Sequence, residues 1–235
     1  MRKGYSEFIT MAANSMGKAS KKSLQSVNSD IDWNGVLKPL FKKYRGKKHP
    51  LEFNDPYQLL VMIVLSARAS DIMVNNLAPA LFKQYPSFKH LATATPEELY
   101  PLLRVPGFRN KAAWIVEIAK TLAPLKAIPE TITELTLLKG FGRKSANVYM
   151  SQIGLPAEGV IVDLHTLRVA PRLGIAIGED PKKIEQQLMV KVNKKDWHIL
   201  GMSLTYLGRE TCRPTNPHCE ECLVNSVCQY YSEQK

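Results

Sequence analysis

The chain has 235 residues, 45% apolar and 23% charged, with a net charge of +11 and a sequence pI of about 9.5. That is enough length and apolar content for a real core in one large domain or two small ones, which excludes a disordered or fibrous chain. The longest apolar run, Leu59 to Leu65, is far too short to span a bilayer, and a basic excess of this size favours a polyanionic partner, usually nucleic acid.

Residues 1–31 carry Arg2, Lys3, Lys18, Lys21 and Lys22 against only Glu7 and Asp30, with no continuous apolar core. They read as a basic, solvated arm rather than a secretory signal. From Asp32 onward helix-start chemistry recurs and strand alternation is scarce, so the expected fold is all-α. Asp55-Pro56 opens the apolar stretch Tyr57 to Ala67, with proline where its missing N–H is harmless. Leu81, Phe88 and Leu91 fit connecting turns and short helices. Thr95-Pro96-Glu97-Glu98 is a capping box, Thr131 with Glu134 a second, and Asp180-Pro181 repeats the Asp-Pro start.

Two segments look alike. Val105-Pro106-Gly107-Phe108-Arg109-Asn110-Lys111 and Leu138-Lys139-Gly140-Phe141-Gly142-Arg143-Lys144 both place Gly-Phe ahead of a lysine and then a helix. Chance and shared origin both explain this. In the second, Gly140 and Gly142 suit positive φ and close backbone approach to a ligand. The helix that follows presents unpaired N–H groups and the positive end of its dipole, an anion site suited to a DNA phosphate. Phe141 is expected in the core. This is a helix-hairpin-helix pattern. Lys144 is either a phosphate ligand or an amine nucleophile. A free lysine, with a pKa near ~10.4, is almost wholly charged at neutral pH, so the second role requires desolvation in a closed complex.

Val160-Ile161-Val162 ends at Asp163, where a helical pattern begins. Asp163 is a natural N-cap, or a carboxylate facing positive charge that develops on a sugar. His165 reads as structural rather than catalytic. The four cysteines, Cys212, Cys219, Cys222 and Cys228, lie within the last tenth of the chain. One tight group points to a metal site in a reducing compartment rather than a disulfide scaffold. One Cys-x2-Cys pair with two singles fits either zinc or an iron–sulfur cluster.

Four segments together resemble the endonuclease III family of the helix-hairpin-helix glycosylase superfamily. They are Leu65-Ser66-Ala67-Arg68-Ala69-Ser70-Asp71; Leu138 through Val148; Val162-Asp163-Leu164-His165 with Arg168-Val169; and Gly208-Arg209-x-Thr211-Cys212 with the remaining cysteines. The resemblance implies two helical lobes, residues 50–157 with the hairpin and residues 32–49 plus 158–235 with the metal loop, and a DNA-binding groove between them. It implies Lys144 as the lyase lysine, Asp163 as its carboxylate and a [4Fe–4S] cluster on the four cysteines. Arg68, Phe108, Arg109, Gly140, Gly142, Arg143 and His165 fall at DNA-contacting positions.

The expected activity is a bifunctional glycosylase and AP lyase that removes oxidised pyrimidines from double-stranded DNA through a Schiff base and β-elimination. A monofunctional or mismatch-directed glycosylase and a non-catalytic DNA-binding module are the alternatives. A monomer with no membrane partner is expected, cytoplasmic and nucleoid-associated if prokaryotic, with nuclear or mitochondrial sites open. Three departures stand out. Familiar bacterial members have Gln where Arg68 stands. They carry Leu at the wedge position nearest Phe108, in a loop one residue longer. Their first cysteine loop is basic, where this one offers only Arg213 and His218.

Overall fold

The computed structural model describes residues 31–234, so the basic arm lies outside it except for its last residue. The described residues form helices and connecting turns with no strand, as expected for an all-α chain. In chain order the helices are α1 (Trp33–Val36), α2 (Lys38–Tyr44), α3 (Pro56–Leu65), α4 (Asp71–Gln84), α5 (Phe88–Leu91), α6 (Pro96–Leu99) and α7 (Phe108–Leu122). There follow α8 (Ile132–Leu135), α9 (Arg143–Ile153), α10 (Leu164–Leu173), α11 (Pro181–Lys191), α12 (Trp197–Glu210) and α13 (Gln229–Ser232).

The helix starts obey their caps. The Asp55 carboxylate accepts from the Gln58 N–H at 2.8 Å, and Asp180 accepts from the Lys183 N–H at 2.8 Å. Glu98 accepts from the Thr95 N–H at 2.7 Å, closing the capping box ahead of α6. Leu81 belongs to the fourteen-residue α4, not to a connecting turn. That helix is capped by Ser70 and runs through Pro79, which sits on its exposed side.

α3 is buried from Leu59 to Leu65 without a break, so it is enclosed on all sides. It packs against α4, α7 and α9. One continuous apolar cluster runs from Leu51 to Ile161 and includes Phe141 at 2% exposure. The remaining helices pack chiefly on one another: α10 on α11, α12 and α13, and α12 on α2. Gly201 and Gly208 of α12 allow this closeness. A Cβ on Gly201 would sit 2.7 Å from the Ile161 backbone nitrogen, and one on Gly208 would sit 2.8 Å from the Cβ of His165. The segment leading to Asp163 is thereby pressed against α12.

Candidate active site

Lys144 is the second residue of α9. It is exposed and makes no hydrogen bond or ion pair with another described residue. The turn before it works through Gly140, whose φ of +72° favours glycine and whose missing Cβ makes room for Trp114, 2.5 Å from where it would sit. Gly142 differs from the expectation. Its φ is −86°, so it needs no left-handed conformation. It is the N-cap of α9, and having no side chain it places no competing acceptor over the first N–H groups.

Asp163 is the N-cap of α10, its Oδ1 accepting from the Thr166 N–H at 2.8 Å. Its other oxygen is unengaged among the described residues. Lys144 and Asp163 line one narrow cleft, together with His49, Ser66, Asp71, Tyr206 and Arg209. Asp71 and Arg209 face each other across 3.7 Å. A buried network braces the two key helices. Glu185 of α11 accepts from Arg143 Nε at 2.5 Å, from Asn147 Nδ2 at 2.9 Å and from the Val160 N–H at 3.1 Å. It thus ties α9, which carries Lys144, to the segment that delivers Asp163. Gly159 is required there, because a Cβ would fall 2.0 Å from Glu185 Oε1. Arg143 is therefore held by a structural partner at the mouth of the hairpin.

The sister lysine is placed differently. Lys111 is 3% exposed and donates to the carbonyl oxygens of Leu65 at 2.8 Å and Ala67 at 2.6 Å. Burial pushes its pKa down. It satisfies carbonyls at the C-terminal end of α3, where the helix dipole favours a cation. By doing so it holds the turn bearing Arg68 against the start of α7, which bears Phe108 and Arg109. Arg68 is exposed with φ +57°. Phe108 is partly buried, edge-on to Tyr100 at 5.2 Å, with the Arg109 guanidinium 5.8 Å from its ring centre.

His165 is partly buried beside Gly208 and borders an open groove formed with Arg213, Asn216 and His218. Burial is the main cause that pushes its pKa down, opposed by the Asp163 charge. Arg168 of the same helix donates to the carbonyls of Gly208 at 2.9 Å and Cys212 at 3.1 Å. Arg172 lies 3.6 Å from Cys212 Sγ and stacks over Tyr230 at 4.3 Å.

All four cysteines line a single small cavity of about 20 Å³, walled by Leu173, Leu207, Tyr230 and Tyr231. Burial pushes the Cys222 thiol up to about 11, and the neighbouring cysteines add to the shift. Thiols that raise one another's pKa ionise together only when a cation stabilises the thiolates. Among the described residues no three His, Cys, Asp or Glu donors converge on one ion-sized point. The four cysteine residues instead line one common cavity, and four cysteines are the donor set that a four-thiolate cluster takes. No helix of the described residues is long and apolar enough to cross a membrane.

Sequence reasoning assigned no role to His49, Asp71, Arg209 or Tyr206. Asp71 and Arg209 stand in the quoted segments. His49 and Tyr206 reach the cleft only through tertiary packing, and no local pattern marks them.

Residues 61–194 match the HhH-GPD superfamily of base excision DNA repair proteins. Endonuclease III of Synechocystis sp. is 36% identical over 196 residues, covering 82% of this chain and 90% of that protein. Endonuclease III of Thermotoga maritima is 35% identical over 180 residues, covering 75% and 84%. A solved structure of a trapped endonuclease III–DNA covalent intermediate superimposes with a TM-score of 0.77 at 30% identity, covering 85% of this chain and 95% of that one. A thermostable thymine-DNA glycosylase, 19% identical with a TM-score of 0.72, shares the fold. The chain belongs to the endonuclease III family of the HhH-GPD superfamily and is a base excision repair DNA glycosylase and AP lyase.

Proposed function

We propose that the enzyme removes oxidised pyrimidines from double-stranded DNA and nicks the resulting abasic strand, with Lys144 as nucleophile and Asp163 as its partner. The observation that carries this is the meeting in one cleft of an amine without a partner, and a carboxylate with one oxygen unengaged, among the described residues, although they belong to different helices. A damaged nucleotide leaves the stack to reach it. The neutral amine of Lys144 attacks the sugar C1′ as the base departs. Asp163 stabilises the positive charge on the sugar and receives the lysine's proton, directly or through water. The resulting Schiff base acidifies the adjacent sugar carbon, and β-elimination expels the 3′ phosphate. The solved covalent and non-covalent endonuclease III–DNA structures, each 30% identical to this chain, support the reading.

Gly140, Gly142 and Arg143 would hold a phosphate at the start of α9, with His165 contacting the strand beside the cysteine loop. Phe108 and Arg109 would wedge the duplex, and Arg68 would fill the vacated space; an aromatic ring is suited to stacking between bases. Cys212, Cys219, Cys222 and Cys228 would hold a [4Fe–4S] cluster, which organises the loop and contributes no redox step to this scheme. The chain would divide into two helical lobes, residues 50–157 with the hairpin and residues 32–49 plus 158–235 with the cysteine loop; the packing of α10 on α11, α12 and α13, and of α12 on α2, supports the second lobe. The protein acts as a monomer, and its bacterial relatives favour a cytoplasmic, nucleoid-associated role.

Borohydride reduction in the presence of abasic duplex should trap a covalent adduct that Lys144→Ala abolishes. Undiminished trapping by that variant would refute the assignment. Binding through ~5 phosphates should give a log–log salt slope of about −4.5.

A further inference from the structure

Among the cleft residues to which the mechanism gives no task, His49 is the one imidazole. His49 precedes α3 and lines the cleft beside Lys144 and Asp163. Its Nδ1 accepts from the Leu51 N–H at 3.1 Å. In a neutral imidazole the nitrogen that accepts carries no proton, so the N–H is on Nε2. That nitrogen has no partner among the described residues. The backbone on either side is fixed: Tyr206 OH donates to the Lys48 carbonyl at 2.9 Å, and Asn75 Nδ2 donates to the Pro50 carbonyl at 2.9 Å. The ring is therefore preorganised between α12 and α4.

The charged groups that face it are Asp71 at the start of α4, Lys144 at the start of α9 and Arg209 near the end of α12. Burial is the main cause that lowers its pKa, to about 4; the two cations add to the shift and Asp71 opposes it. At neutral pH the ring is an uncharged donor. Such a donor is a weaker partner for a phosphate than the cations nearby, but it suits an oxygen on which negative charge grows during reaction.

We propose that His49 is a catalytic residue of base release, its Nε2–H donating to a carbonyl oxygen of the departing pyrimidine. This rests on the lysine reading above. Lys144 attacks C1′, the atom bonded to the base, so its neighbour in the cleft meets that base. The C1′–N bond breaks, and its electron pair passes to the ring nitrogen and spreads onto the carbonyl oxygen. The Lys144–C1′ bond forms, and the amine's proton goes to Asp163. The imidazole keeps its own proton, and the free base anion takes one from water.

The test compares two substrates for full-length protein and its His49→Phe and His49→Gln variants: a duplex with an oxidised pyrimidine and a duplex with a preformed abasic site. His49→Phe should slow single-turnover base excision by about 10²-fold. Cleavage and borohydride trapping of the abasic duplex, which has no base to expel, should be largely spared. His49→Gln, which retains an N–H donor, should recover part of the excision rate. An NMR titration should find the His49 ring neutral from pH 6 to 8. Unchanged excision by His49→Phe, or equal loss on both substrates, would overturn the proposal. Failure of the unmodified protein to form any trapped adduct would instead sink the lysine reading.

Discussion

Two turns of this molecule are written in nearly the same residues and do different work. Around Gly107 the chain enters α7 at once, so Lys111 is the fourth residue of its helix. Around Gly140 it takes a longer path, α9 begins at Arg143, and Lys144 is the second residue. That offset turns one lysine inward and leaves the other at the mouth. Lys111 is sealed in with two backbone carbonyls, whereas Lys144 is exposed without a protein partner among the described residues. A shared local pattern thus specifies a turn and a helix start. The helix register after the glycine decides whether the cation becomes a structural pin or a reactive amine.

The contrast breaks if the two lysines cannot be separated by experiment. Lys144→Ala should lower abasic-strand cleavage by about 10³-fold or more. Its urea unfolding free energy should stay within about 0.5 kcal/mol of the parent, because the side chain is exposed. Gly140→Ala should cost about 2–4 kcal/mol in the same unfolding assay, from left-handed strain plus collision with Trp114. Lys111→Met should cost about 1–3 kcal/mol by orphaning the carbonyls of Leu65 and Ala67. Below its lowered melting temperature it should still give a borohydride-trapped adduct. Gly107→Ala sharpens the comparison from the other side. Its φ of +69° is similar, but nothing stands within 4 Å of the added Cβ, so strain alone should cost about 1 kcal/mol. Equal losses at the two glycines would show that the Trp114 contact contributes nothing.

What could be read from residues alone follows the range of the interactions involved. Asp55, Thr95, Asp163 and Asp180 announce their helices because a cap acts within three residues. The cysteines announce a common site because they are close in sequence. The burial of Lys111 was not legible, since its acceptors lie 46 and 44 residues away and are main-chain atoms carrying no side-chain signal. The helical course of α4 through Pro79 was hidden because a proline tolerated on an exposed face looks like a break. Gly142 was read as conformationally special when its value lies in having no side chain at a helix start. His49 was silent because its meeting with Lys144 depends on the whole arrangement of α3, α4, α9 and α12.

α10 is capped by Asp163 and, through Arg168 and Arg172, grips the chain around Cys212. Ten helical residues rise about 15 Å, so a single stiff rod has the cleft's carboxylate at one end and the cysteine loop near the other. Neither end is free to drift while the other stays put. Loosening the loop would swing the carboxylate off its mark, and a lineage that discarded the cysteines would first have to find another moor for this rod.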